Sequence, residues 1–415
     1  MLARAARPRR PLLSALSALA LACTAPRAAP APAAAPPPEP PPAQGRTGLA
    51  PEVNPFLHAQ GRDLVDGQGR KVVLRGIGFG NDVWSNRWQP PANHHDEAEY
   101  RELRAMGLNA VRFYLSYRFF EDDGEPFQWV PEGFEWLDRN FAWARAHGVY
   151  LVLNMHVPQG GFQSLGQGGA LWRDPGNQQR FVALWRELAR RYKDEPALAG
   201  YDLLNEPVVL RDPAAWERLA RRTVAAIREV DPAHAIFVER LNAVIGAGPQ
   251  PDWTEDRNGE MNFFLLDDTN VVYEFHFYKP MAFTHQGSSW FPQLRGVTTA
   301  WPGPFRDWDG VTKAGDRAYL ARELAPYLAF GRRHGVPLFL GEFGVIRDGF
   351  AGKRNGAAWV ADVLDLVGAE GVSFSYHAFH EEAFGLYGTP ASQPPARRNE
   401  ALAAVLTARP APRAP

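Results

Sequence analysis

Two glutamates stand at the C-terminal ends of short apolar runs, Glu206 in YDLLNEP and Glu342 in PLFLGEFG. Asn205 precedes Glu206 in the same run; other runs carry Arg112 along their length and His156, His276 and Tyr278 at or near their ends, and a last run carries His377. If those ends gather on one face, two carboxyls share a pocket with a guanidinium, an amide and several imidazoles, a set suited to acid/base plus nucleophile chemistry. Cleaving a glycosidic bond asks for such a pair: one protonated carboxyl for the leaving oxygen and one ionised carboxylate for the anomeric carbon. An arginine beside a carboxylate lowers its pKa, whereas burial or a like charge raises it, so Arg112 would drive the two glutamates apart. Glu342 is then expected as the ionised nucleophile and Glu206 as the general acid, later the base. Asn205 would hold the sugar 2-hydroxyl.

The elements that must position these residues are legible in the hydrophobic pattern. Eight apolar runs, at 72–80, 109–115, 150–156, 199–207, 235–240, 270–278, 337–344 and 372–379, are continuous rather than alternating. That marks strands buried on both faces, as in a parallel sheet. Amphipathic helices separate them: 177–193 places Phe181, Leu184, Trp185, Leu188 and Tyr192 on one face, and 213–231 does so with Trp216, Leu219, Ala220, Ile227 and Val230. Gly107, Gly148, Gly335 and Gly371 each stand where a helix should stop before the next strand. Eight βα units predict a single-domain α/β protein, a closed (β/α)8 TIM barrel, in which functional groups collect at the C-terminal strand ends. An open doubly wound sheet is the alternative, but GIGFGND after the first run has no G-x-G-x-x-G phosphate loop. GRDLVDGQGRKVVLRG, ahead of the first strand, reads as a β-hairpin closing the barrel bottom, and segments 241–269 and 279–312 read as elaborated loops.

The chain has 415 residues and a formal charge of −1, without the basic footprint of a nucleic-acid binder. Arg4, Arg7, Arg9 and Arg10 precede an apolar stretch from Pro11 to Ala22, the pattern of a signal peptide over 1–22. It ends in LALAC, which resembles a bacterial lipoprotein box. Cys23, the sole cysteine, is the candidate lipid anchor, and no intramolecular disulfide is possible. Residues 23–49 are Pro/Ala-rich and read as an extended linker, 50–409 as the barrel domain and 410–415 as a tail. The expected location is the bacterial cell envelope or the medium, with membrane contact only through the lipid, and the expected state is a monomer.

Several acids and aromatics compete for roles. Glu239 and Glu274 read as structural. The stretches NHHDE (93–97) and HEE (380–382) lack the helical H-E-x-x-H spacing, so no metal is expected. Trp84, Trp88, Trp172, Trp290 and Trp301 fall in predicted loops above the barrel, where an indole can stack on a sugar or simply pack; Trp84 and Trp290 are the stronger candidates.

Six stretches in order, LRGIGFG, GLNAVRFYL, GVYLVLNMH, YDLLNEP, EFHFYKP and PLFLGEFG, resemble the retaining glycoside hydrolases of family five, the cellulase-like clan of barrel enzymes. The resemblance spans almost the whole domain. It implies Glu206 as acid/base and Glu342 as nucleophile, with Arg112, His156, Asn205, His276 and Tyr278 as their supports and Tyr278 hydrogen-bonded to the nucleophile. It also implies a carbohydrate substrate, β-glucan or β-mannan, and no cofactor. One departure stands out: where the family usually ends strand eight with a tryptophan flooring the sugar site, this chain offers His377 or Phe379. A catalytically silent carbohydrate-binding barrel and a transglycosylase are the alternatives.

Overall fold

The computed structural model describes residues 54–80, 83, 95–248, 250–389 and 397–408. The expected signal peptide, linker and tail, together with Trp84 and Trp88, lie outside the described residues.

Eight parallel strands close into a barrel in chain order: β1 (Arg75–Phe79), β2 (Ala110–Ser116), β3 (Tyr150–Val157), β4 (Leu198–Asp202), β5 (Ala235–Glu239), β6 (Val271–Phe277), β7 (Leu338–Phe343) and β8 (Ser373–Tyr376), with β8 pairing back onto β1. Five of the eight apolar runs contain one of these strands, and the other three fall one residue short of theirs at one end. In β2, β3 and β6 the alternation of side chains explains how the barrel is both packed and functional. Val111, Phe113 and Leu115 of β2, with Leu151, Leu153 and Met155 of β3, join the large apolar cluster around the barrel. Their neighbours Arg112, Asn154 and His156 are buried and polar. Strand pairing sets polar groups side by side, with Asn154 opposite Asp202, Glu239 opposite Glu274, and His276 opposite Glu342.

Among the described residues, seven α-helices of eight residues or more surround the strands: α1 (Glu97–Ala105), α2 (Pro131–His147), α3 (Pro175–Tyr192), α4 (Ala215–Arg228), α5 (Arg317–His334), α6 (Gly356–Gly368) and α7 (Glu400–Thr407). Their ends follow from local sequence. Asp96 and Glu99 form a capping box on α1, Asp174 caps α3 ahead of Pro175, and left-handed Gly148 and Gly335 stop α2 and α5. α3 buries Phe181, Leu184, Trp185, Leu188 and Tyr192 as its periodicity predicts. As the reading of 241–269 as an elaborated loop expects, among the described residues β5 and β6 are joined without an α-helix. That connection instead adds strands Ala243–Ile245 and Pro251–Asp252 to Val208–Leu210 in a small separate sheet.

The hairpin before β1 is a three-stranded antiparallel sheet, His58–Gln60, Asp63–Val65 and Lys71–Val72. Leu57 and Leu64 from this region cluster with Leu74, Val152, Phe237 and Phe339 inside the barrel. Burying each leucine there contributes about 1.5–3 kcal/mol and closes the end opposite the candidate site.

Candidate active site

Arg112, fully buried in the middle of β2, is the hub of the polar layer. Its Nε donates to Asp202 Oδ2 at 2.7 Å and lies 3.0 Å from Glu274 Oε1, Nη1 donates to Glu342 Oε1 at 2.6 Å, and Nη2 donates to Asn205 Oδ1 at 3.1 Å. Only a planar guanidinium reaches so many acceptors from one stem. Asn205, thus fixed at its oxygen, donates from Nδ2 to Ser164 Oγ at 3.2 Å.

Glu342, in β7, is held at both oxygens. Arg112 takes Oε1, and the Tyr278 hydroxyl donates to Oε2 at 3.0 Å; His276 Nδ1 is 3.7 Å and His377 Nδ1 4.0 Å away. Burial alone would push this carboxyl up. The fields of His276, His377 and Arg112 outweigh it and hold Glu342 well below the usual carboxylate range. His156, nominally a fourth contributor, is itself driven far below the ordinary histidine value by burial, so it stays neutral and adds little.

Glu206 follows the end of β4 with a left-handed backbone, φ 43°. For a non-glycine residue this costs about 1–3 kcal/mol and persists only where surroundings enforce it. Its N–H donates to Glu239 Oε2 at 2.6 Å, and its Oε1 lies 3.1 Å from His276 Nδ1. Donor atoms of Glu206, His276 and Glu342 all fall within 4.8 Å of one another. Carboxyls this close suit attack by one of them on a sugar, since direct attack by water needs about 6.5–9.5 Å between the pair.

His276 is enclosed by acids. Beyond Glu206 and Glu342 on its Nδ1 side, its Nε2 lies 3.4 Å from Glu274 and 3.6 Å from Glu239. Burial would discharge it, but Glu239 and Glu342 raise it well above the ordinary histidine value, so it is an imidazolium. His156 is oriented by Asn154, with Nδ1 and Oδ1 3.0 Å apart, and stacks on Tyr114 at 4.3 Å. The Tyr114 hydroxyl lies 3.0 Å from His377 Nδ1. A Cβ on Gly78 would come within 2.4 Å of that hydroxyl, and one on Gly80 within 2.0 Å of the ring, so both glycines leave room for Tyr114.

At the end of β8, His377 faces Glu342, whereas Phe379 turns away and packs edge-on against Phe79 at 5.1 Å. Of the candidate tryptophans, Trp290 is 42% exposed and edges toward His285 and Phe384, both of which contact Tyr278. For Trp301 the packing alternative holds: it is buried, and its Nε1 donates to Asp362 Oδ2 at 2.8 Å. Trp172 is half-buried and bonded to Gln163. The stretches NHHDE and HEE meet each other, with His95 and His380 each 2.6 Å from an oxygen of Glu99. They tie the segment after β8 to α1.

Tyr114, Asn154 and Asp202 belong to this layer and were not singled out in the sequence. A signal existed for two of them: Tyr114 lies two residues from Arg112 and Asn154 two from His156, the spacing that puts strand side chains on one face.

Known proteins resemble this chain in sequence and fold. The model of the family described as Cellulase (glycosyl hydrolase family 5) matches residues 65–382. Endoglucanase C of Acetivibrio thermocellus is 28% identical over 314 residues, 70% of this chain and 87% of that protein. A β-xylosidase of Phanerodontia chrysosporium is 33% identical over 223 residues, 44% of this chain and 46% of that protein. In fold, the chain is similar to an endoglucanase from the hyperthermophilic Thermotoga maritima, with a TM-score of 0.62, 23% identity and coverage of 80% of this chain and 96% of that one.

Proposed function

The chain belongs to glycosyl hydrolase family 5, the cellulase family of retaining β-glycosidases, and on that premise we propose that it cleaves a β-1,4-glucan with Glu342 as nucleophile and Glu206 as acid/base. The observation that carries the reading is the difference between two neighbouring carboxyls. Glu342 is buried, held at both oxygens and kept ionised, while Glu206 has a partly open side chain and a histidine partner. In the first step Glu342 forms a bond to the anomeric carbon as the glycosidic bond breaks, and Glu206 gives its proton to the departing oxygen. In the second, Glu206 takes a proton from water, whose oxygen displaces Glu342 and restores both groups. Tyr278 and Arg112 keep the attacking carboxylate aimed, and Asn205, locked between Arg112 and Ser164, presents its amide to the sugar 2-hydroxyl. Trp290 offers a stacking face to a further sugar ring.

The preference for glucan is supported by the names of the endoglucanase relatives, and His377 in place of an indole floor makes the glycone the point to test. Reducing-sugar release from β-glucans, mannans and xylans should be greatest with β-1,4-glucan and start with the β-anomer. Release should vanish in Glu342→Gln and fall about 10²–10⁴-fold in Glu206→Gln. Inverted product, or undiminished release by Glu342→Gln, would overturn the assignment. Folded protein that binds but cuts no polymer would return the silent-barrel reading. The N-terminal segment supports export with lipidation at Cys23, which palmitate labelling of the wild type but not of Cys23→Ser would establish.

A further inference from the structure

We propose that Glu239 is a positioning residue for Glu206, acting on it through the backbone N–H and through His276. Glu239 is the last residue of β5, 1% exposed, and its side chain turns toward the site rather than toward any structural partner. A single oxygen, Oε2, accepts the Glu206 N–H at 2.6 Å and lies 3.6 Å from His276 Nε2. The opposite nitrogen of that imidazole is 3.1 Å from Glu206 Oε1. Glu239 therefore grips both ends of Glu206: the main chain directly and the carboxyl by way of one ring. The grip falls where it is needed, because Glu206 holds the left-handed backbone that a glutamate does not adopt unaided. Among the described residues, His276 is the ion-pair partner of Glu239. His276 in turn faces Glu206 and Glu342 at Nδ1 and Glu274 and Glu239 at Nε2, and Glu274 is shared with Arg112.

The inference rests on Glu206 being the acid/base, and the test separates the two. Kinetics are compared on a pair of substrates with the glycone that the wild type hydrolyses best: a 2,4-dinitrophenyl β-glycoside, whose leaving group needs no proton, and the matching oligosaccharide, whose leaving group does. Glu206→Ala should lose about 10²–10⁴-fold in kcat/KM on the oligosaccharide and little on the dinitrophenyl glycoside. Glu239→Ala should show the same pattern at about tenfold or more, and Glu239→Gln, which keeps an oxygen for the Glu206 N–H but no charge for His276, a smaller loss of the same kind. If the alanine variant does not fold, the glutamine variant decides. Equal losses on both substrates, or none on either, would make Glu239 merely structural and overturn the inference. Equal losses in Glu206→Ala would instead fault the acid/base reading, and this inference with it.

Discussion

Replacing Arg112 with methionine fills most of the same volume and removes the one guanidinium that meets Asp202, Glu274 and Glu342. Breaking a buried ion pair from one side costs about 3–5 kcal/mol, because the abandoned charge stays buried. Here the cost should depend on pH, and Glu342 gives the sign. In the wild type its folded pKa is depressed, so it contributes stability above its unfolded value of about 4.3, lost only in strong acid. Without Arg112, burial is less opposed and the carboxyl rises; a raised carboxyl costs stability progressively as pH climbs from its unfolded value through its folded one. The gap between wild type and variant should therefore widen with pH, by at most about 1.4 kcal/mol per pH unit for one proton, and reach about 3–5 kcal/mol at pH 7. Urea unfolding of both proteins at pH 5, 6, 7 and 8 measures it, and kcat/KM over the same range should show the acid limb of the variant displaced upward. A gap constant from pH 5 to 8 would mean that His276 and His377 keep Glu342 ionised across that range without Arg112. A gap below about 1 kcal/mol at pH 7 would refute the view that Arg112 offsets the buried acids.

Two further outcomes follow from contacts at the same face. Tyr278→Phe removes a hydrogen bond to a charged oxygen, worth about 1.5–3 kcal/mol, so kcat should fall about 10–100-fold with KM little changed; steady-state kinetics showing less than about a threefold loss would contradict the role given to that hydroxyl. Trp290→Ala, at a half-open position, should leave the melting temperature within about 2 °C and raise KM on polymer several-fold while sparing a small aryl glycoside, and unchanged polymer KM would exclude stacking there.

The barrel was legible because its strands are apolar on both faces and short, and few other folds use eight such runs separated by helices. Glu206, Glu342, Asn205, His276 and Tyr278 could be gathered in advance for a related reason: in a parallel barrel, position at a strand end is position in space; Arg112, in the middle of β2, was joined to them through the family resemblance. What stayed hidden was decided by packing at a distance. Asp202 and Glu274 sit inside runs that look continuously apolar, and nothing local says that Arg112, 90 residues from Asp202 along the chain, will meet them. Trp301 carries the same indole as Trp290, yet one finds Asp362 and the core while the other stays open. The length and turn residues of 241–269 marked a long loop, but nothing in them said that its strands would join Val208–Leu210 in a separate sheet.

The fit of Tyr114 between two glycines and His377 constrains how this lineage can acquire new specificity. Exchanging His377 for an indole would remove one partner of the tyrosine hydroxyl, and adding a side chain at Gly78 in β1 or at Gly80 just after it would push the ring out of place. Gly78, Gly80, Tyr114 and His377 therefore form one fitted unit drawn from the ends of β1 and β8 and the middle of β2, so a library that varies these positions together samples packings that changing any one of them alone does not reach.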